Sequence, residues 1–305
     1  MLVDYHTHHH RCGHASGNLE DYVEAAARAR LSEVGLSDHS PIYHLGEDPH
    51  ALPGTAMSHH EFSSYLKEMH VVRDRFRGRV QVRLGVESDY VLGWDEHYRA
   101  LWRSMPLDYV IGSVHWLGQW SIFSPELPVG QSPDDVYDEY LHTTQAAARS
   151  GAYDVIGHLD CLKTRGHIPD LRLTPLLEDT VRVLADSGVA IELNTSGWRK
   201  GLGEPYPREE LLAVCCHYGV PVTLGSDAHR PEDVAADFPR AAALLERVGY
   251  TSIMRFENRK KLPFPCAERE KRAGAKVQFS PNPPSGVSRY STIAVLGRPR
   301  QPPGL

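Results

Sequence analysis

The chain has 305 residues, 41% hydrophobic and 24% charged, with a formal net charge of −6. That composition supports a sizeable core in one large domain or two small ones. The mixed, mildly acidic charge argues against a dedicated nucleic-acid or anionic-membrane surface and leaves room for a local basic pocket.

A short apolar run, Leu2 and Val3, leads into Asp4-Tyr5-His6-Thr7-His8-His9-His10-Arg11-Cys12-Gly13-His14. On an extended backbone alternate side chains share a face, so His6 and His8 point the same way and can grip one metal ion. His10, or His14 after the Gly13 turn, adds to them. A purification tag would be uninterrupted, whereas Asp4, Thr7, Arg11 and Cys12 break this run. Cys12 reads as a tight-turn residue. The other cysteines, Cys161, Cys215, Cys216 and Cys266, show no CxxC spacing, which argues against a disulfide framework. Without a leader pattern or a membrane-length apolar run, a cytoplasmic setting is expected.

Residues 19–30, rich in Ala, Arg and Glu with Tyr22, Val23, Ala26, Ala27 and Ala29 on one side, are a predicted helix. A strand over 34–36 delivers Ser37-Asp38-His39, and 40–58 reads as a long functional loop. A helix over 61–77 and a strand over 80–86 lead to Glu87. Next come a helix over 94–104 and a strand over 107–114 ending on His115, then a helix over 134–149 and a strand over 154–157 ending on His158. A helix over 174–187 and a strand over 189–193 lead to Asn194. A helix over 208–217, holding Cys215 and Cys216 as small apolar residues, and a strand over 220–224 lead to Gly225-Ser226-Asp227-Ala228-His229. A helix over 241–248 precedes a weak strand over 252–256. The tail then turns proline-rich and aperiodic. Residues 1–265 are therefore expected to form the folded domain, and 266–305 a flexible extension without chemistry.

Some seven alternations of strand and helix predict an α/β fold with a parallel sheet. So many units, with no glycine-rich nucleotide turn, favour closure into a distorted (βα)7 barrel over an open sheet. In such a barrel the C-terminal strand ends share one face, which brings together His6, His8, Asp38, His39, Glu87, His115, His158, Asp227 and His229. With His14, these donors exceed the roughly four to six that one first-row ion takes, so about two or three ions are expected, with Glu87 a natural bridge. Such a cluster acidifies bound water and clamps phosphoryl oxygens, so phosphate-ester hydrolysis by a metal-bound hydroxide is the expected chemistry. No Gly-x-Ser-x-Gly elbow suggests a side-chain nucleophile. Arg165, in Lys163-Thr164-Arg165, and Arg199, in Gly197-Trp198-Arg199-Lys200, are candidate phosphate forks on the same face.

Asp4-Tyr5-His6-Thr7-His8, Gly35-Leu36-Ser37-Asp38-His39, Gly85-Val86-Glu87, Ile111-Gly112-Ser113-Val114-His115, Gly157-His158-Leu159-Asp160 and Gly225-Ser226-Asp227-Ala228-His229 together resemble the polymerase-and-histidinol-phosphatase (PHP) superfamily of metallophosphoesterases. The resemblance spans residues 1 to about 262. Arg11-Cys12-Gly13-His14-Ala15, Ser37-Asp38-His39-Ser40-Pro41, Asn194-Thr195-Ser196-Gly197 with Arg199-Lys200, and Asn258-Arg259-Lys260-Lys261 are similar to its histidinol-phosphatase branch.

The resemblance implies a three-ion site. His6, His8, Glu87 and Asp227 would hold one ion, Glu87, His115 and His158 a second, and His14, His39 and His229 a third, with zinc, manganese or iron all suited. It implies phosphate and substrate contacts from Arg165 and Arg199. Asp227 and Asp38 would be the catalytic carboxylates, Asp38 chiefly as an orienter of His39, with proton transfer as the alternative. His9, His10 and the proline-rich tail have no place in this scheme. The expected reaction is hydrolysis of L-histidinol phosphate to L-histidinol and phosphate in histidine biosynthesis, with Tyr43, His44, Glu47 and Asp48 as candidate walls for the cationic end. The partner is then a small phosphomonoester, with neither nucleic acid nor membrane. Hydrolysis of another phosphomonoester or a nucleotide, and a non-catalytic metal-bound module, are the alternatives.

Overall fold

Val3, Val34, Val82, Ile111, Val155, Ile191 and Val222 are all buried, as expected of short parallel strands covered on both faces. The computed structural model describes residues 2–45, 54–166 and 174–266. Its elements, in chain order, are β1 (Val3–Asp4), α1 (Leu19–Arg28), β2 (Glu33–Leu36), α2 (His59–Arg75), β3 (Gln81–Leu84), β4 (Glu87–Asp89), α3 (Asp95–Arg103) and β5 (Ile111–Ser113). They continue with β6 (Trp116–Leu117), β7 (Trp120–Ser121), α4 (Pro133–Arg149), β8 (Val155–Ile156), α5 (Pro175–Ser187), β9 (Ala190–Asn194), α6 (Ser196–Arg199) and α7 (Glu209–His217). The last are β10 (Val222–Gly225), α8 (Phe238–Val248), β11 (Ser252–Glu257) and β12 (Lys260–Pro265). The fold is α/β, with parallel strands alternating with helices.

Two parallel sheets run β1-β2-β3 and β10-β9-β8-β5-β4. Backbone hydrogen bonds join them at both margins. Tyr5 donates to the Leu224 carbonyl at 2.9 Å, while Glu87 donates to Ser37 and Ile111 to Val86, each at 2.9 Å. The strand predicted over 80–86 ends at Leu84, and a further strand starts at Glu87, so that β3 pairs with β2 and β4 with β5. Tyr109 explains the glycines here. Its ring is fully buried and its hydroxyl donates to the Tyr5 carbonyl at 2.6 Å. A Cβ at either Gly35 or Gly85 would overlap that ring.

Ser58 and Ser132 start α2 and α4 with capping boxes closed by Glu61 and Asp135, each satisfying donors that a helix start leaves free. Two hairpins depart from the sequence reading. β6 and β7 pair antiparallel beyond His115, too short a pair for any periodicity to register. The weak strand over 252–256 is the first arm of a second antiparallel hairpin, β11 with β12. Its turn residues, Asn258 and Arg259, both have positive φ, the geometry that matches the twist of paired strands. The cysteines are free, Cys215 buried and Cys216 half-buried. Among the described residues no helix is long and apolar enough to cross a membrane. Residues 267–305, nearly all of the expected extension, lie outside the described residues.

Candidate metal centre

The opening segment is fixed first. β1 ends at buried Asp4, whose carboxylate accepts from the backbone N–H groups of His6 (3.3 Å), Ser226 (2.8 Å) and Ala235 (3.0 Å). It thereby ties the histidine-rich run to the loop after β10. His8 N–H donates to the Ala228 carbonyl at 2.9 Å, completing the registration of two segments more than two hundred residues apart.

Side chains that follow five strands, β1, β2, β5, β8 and β10, then meet around Glu87. Its Oε2 lies 3.2 Å from His6 Nε2, 3.1 Å from His39 Nδ1 and 3.5 Å from His8 Nε2. Its Oε1 lies 3.0 Å from His158 Nε2 and 3.6 Å from His115 Nε2, and accepts from Ser113 Oγ at 2.5 Å. Asp227 Oδ1 is 3.1 Å from His8 Nε2 and 3.8 Å from His6 Nε2. His229 stacks on His8 with centroids 4.2 Å apart, and His14 lies 4.9 Å from His229 and 5.2 Å from His39. All nine residues expected as ligands are within this one cluster.

The outward nitrogens decide what the inward ones can do. His6 Nδ1 is held by Glu192 at 2.8 Å, His115 Nδ1 by Asp89 at 2.7 Å and His8 Nδ1 by Asp38 at 3.3 Å. His14 and His229 use Nδ1 on the carbonyls of Gly54 and Asp227, each at 3.0 Å. A proton fixed on Nδ1 leaves the Nε2 lone pair facing inward. His6 Nε2 and Glu87 Oε2 face each other at 3.2 Å, both buried and without a hydrogen bond between them. A buried ring nitrogen and carboxylate oxygen left without a hydrogen-bond partner are groups that a cation between them would satisfy, so these residues fit divalent metal. Ligand atoms of His6, His8 and Glu87, of His8, His39 and His229, and of His39, Glu87 and His115 each group within 4.8 Å.

Electrostatics agree. Burial pushes the Glu87 carboxyl upward, but His39, His6 and His158 outweigh it and hold the group well below the usual carboxylate range. Burial likewise acts against Asp227, where Lys200 and His6 prevail and keep it ionised. Burial, then neighbouring His8, drives His229 down to about 3, leaving a neutral imidazole able to ligate. Burial disfavours charge on His6, yet Glu192, Glu87 and Asp227 overcome it. A divalent ion on Nε2 can supply that positive charge in place of a proton.

The cluster floors a cavity of about 710 Å³ whose walls include Trp116, Phe123, Tyr206, Arg199 and Lys200. Arg199 lines the cavity, with Nη2 donating to the Ser226 carbonyl at 2.5 Å. Arg165 does not line it. It is exposed, and its Nε donates to the Phe123 carbonyl at 2.9 Å, so it braces the loop carrying that ring. Asp38 also differs from expectation. Its carboxylate meets His8 and His9, and only the backbone N–H of His39 reaches it, at 2.9 Å. Neighbours on extended backbone send their side chains to opposite faces, and His39 turns its Nδ1 to Glu87 instead. Tyr43 and His44 pack on His59 and Trp94 and do not line the cavity, while Glu47 and Asp48 lie outside the described residues.

Residues 4–196 match the PHP domain family. The chain belongs to this family. A relative in Deinococcus radiodurans, named a probable histidinol-phosphatase, is 36% identical over 86% of this chain and 99% of its own length. The histidinol-phosphatase of Bacillus subtilis is 26% identical over 80% of this chain and 98% of its own. The crystal structure of histidinol phosphate phosphatase from Lactococcus lactis, complexed with zinc, L-histidinol and phosphate, superposes with a TM-score of 0.73 at 23% identity, covering 85% of this chain and 98% of that one. It shows the same fold.

Within this PHP site the sequence reading missed Glu192, Asp89 and Lys200. Glu192 had a legible signal, as a charge in the middle of a strand buried along its length. Lys200 donates to Asp227 Oδ2 at 3.2 Å beside Ser196 Oγ at 2.9 Å. The two bonds fix the outer oxygen of Asp227 while the inner one faces His8.

Proposed function

We propose that this PHP protein is a divalent-metal-dependent phosphatase that hydrolyses L-histidinol phosphate to L-histidinol and inorganic phosphate. The observation that carries the reading is the set of carboxylate and imidazole atoms around Glu87, at the floor of a cavity rimmed by Arg199 and Lys200. Near-complete coverage of relatives named for this activity fixes the choice of substrate.

The metal-holding residues in this reading are His6, His8, His14, His39, Glu87, His115, His158, Asp227 and His229, a donor set sufficient for roughly two or three ions of zinc, manganese or iron. Such ions, when bound, acidify a water and neutralise phosphoryl charge. The chain's own part is to orient and to bind. Glu192, Asp89 and Asp38 fix imidazoles, and Ser196 and Lys200 fix Asp227. Arg199 and Lys200 offer N–H donors to phosphate oxygens, a charge-assisted contact suited to a dianion. Trp116 and Phe123 give the organic half an aromatic wall that also excludes water. Asp38 lies behind His8, away from the cavity lining, so its role is to hold His8 and not to move a proton. Arg165 acts through the Phe123 loop.

The fold we infer for residues 1–265 is a closed, distorted barrel. The margin bonds between β1 and β10 and around Glu87 support closure, since β3 and β4 are successive stretches of one run and the parallel strands then form a single ring of seven.

Phosphate release from a panel of phosphomonoesters tests the function. L-histidinol phosphate is expected to be turned over best, with activity lost on chelation and regained with added manganese or zinc. Faster turnover of nucleotides or sugar phosphates would overturn the substrate, and no turnover by metal-loaded protein would overturn catalysis.

A further inference from the structure

One of the histidines left without a place in the donor set, His9, is buried. It is 1% exposed, with its ring 5.1 Å from that of Tyr65. Its Nε2 lies 2.8 Å from Arg11 Nη1. A guanidinium only donates, so Nε2 accepts and the ring proton sits on Nδ1, against Asp38 Oδ2. The other oxygen of Asp38 takes His8 Nδ1 at 3.3 Å and the His39 N–H at 2.9 Å. At the far end Arg11 Nη2 donates to Glu68 Oε2, on α2, at 2.5 Å. A connected polar path therefore runs from α2 through Arg11, His9 and Asp38 to His8, the imidazole shared by the His6 and His229 sides of the cluster. His10, by contrast, is exposed, with its Nδ1 on the Gly17 carbonyl at 3.1 Å.

We infer that His9 and Arg11 are positioning residues for the metal centre. They hold Asp38 so that its carboxylate accepts the hydrogen bond from His8 Nδ1–H, which leaves the His8 Nε2 lone pair facing the cluster. The inference rests on the metal-dependent reading above. The tautomer of an imidazole is set by the bond its other nitrogen makes. Losing the Arg11 donor frees His9 to swap its proton to Nε2, and Asp38 then faces a lone pair in place of an N–H. Losing His9 removes the imidazole that pairs with buried Asp38 Oδ2, and the carboxylate no longer has a reason to stay in line with His8. Neither His9 nor Arg11 lines the cavity, so the effect falls on ion affinity and not on substrate contact.

The test is zinc and manganese affinity of the full chain, measured by competition with a chromogenic chelator, for the unaltered protein and for His9→Phe, Arg11→Met and Arg11→Lys. His9→Phe keeps a ring against Tyr65. It and Arg11→Met are expected to weaken binding by about 10- to 100-fold, with Arg11→Lys recovering part of the loss and KM unchanged at saturating metal. Unaltered affinity in Arg11→Met would overturn the path alone, as would a raised KM with affinity intact. Failure of the unaltered protein to bind either ion would overturn the metal reading beneath it. Should His9→Phe not fold, Arg11→Met, nearer the surface, carries the test by itself.

Discussion

Glu192 shows what a single residue contributes when it never touches substrate. Both its oxygens lie within 3.0 Å of His6 Nδ1, and it also accepts from Asn194 and from the His158 backbone. Glu192→Gln keeps the volume but can turn an amide N–H toward His6, which no longer needs its proton on Nδ1. Metal affinity is expected to fall by about 10- to 100-fold, read by chelator competition. Lys200→Met removes a cation from the cavity and a donor from Asp227. A charge-assisted bond of about 1.5–3 kcal/mol corresponds to a fall of roughly 10- to 100-fold in kcat/KM, and steady-state kinetics on L-histidinol phosphate measures it. The imidazoles and acids at strand ends were legible because residue type and position agree. Their outward partners, Glu192 apart, were not. Nothing in a single sequence says that Asp89 belongs to His115 or Asp38 to His8, since those pairings depend on which face each side chain leaves from.

At the scale of elements, β2 is fastened below the site by an ion cluster. Glu33 on β2 is buried and bonds Arg83 of β3 at 2.9 Å, Arg255 of β11 at 2.8 Å and the Tyr5 hydroxyl at 2.5 Å. Burial raises its carboxyl, but Arg83, Tyr5 and Arg255 together hold it below the ordinary glutamate value. A depressed folded pKa gives stability that is complete above the unfolded value and is lost as pH falls through the folded one. Glu33→Gln is therefore expected to melt earlier at neutral pH, by about 3 kcal/mol for a broken buried pair, and to show a flatter acid limb in thermal melts across pH. Gly85→Ala pushes a methyl into Tyr109, and overpacking of this kind costs about 1–3 kcal/mol; the same melts report it. The helices were readable from apolar periodicity and from caps such as Ser132 with Asp135. The hairpins escaped because β6 and β7 are two residues each, and because the partly exposed arms of β11 and β12 carry mixed charge.

For the whole molecule, the order of elements brings His6 and Asp227, more than two hundred residues apart in the chain, into the same cluster, 3.8 Å apart. The α/β alternation was legible, as was the convergence of strand ends, because each parallel strand delivers its last residue to the same side. The partition among ions was less so. His39 stands between the Glu87 and His229 groups and belongs wholly to neither. Anomalous scattering at the zinc, manganese and iron edges, from crystals of freshly purified protein, tests the central claim most directly. At least two ions within ligand distance of His6, His8, Glu87, His115 and Asp227 are expected. No anomalous peak among these residues in metal-replete crystals would contradict the account.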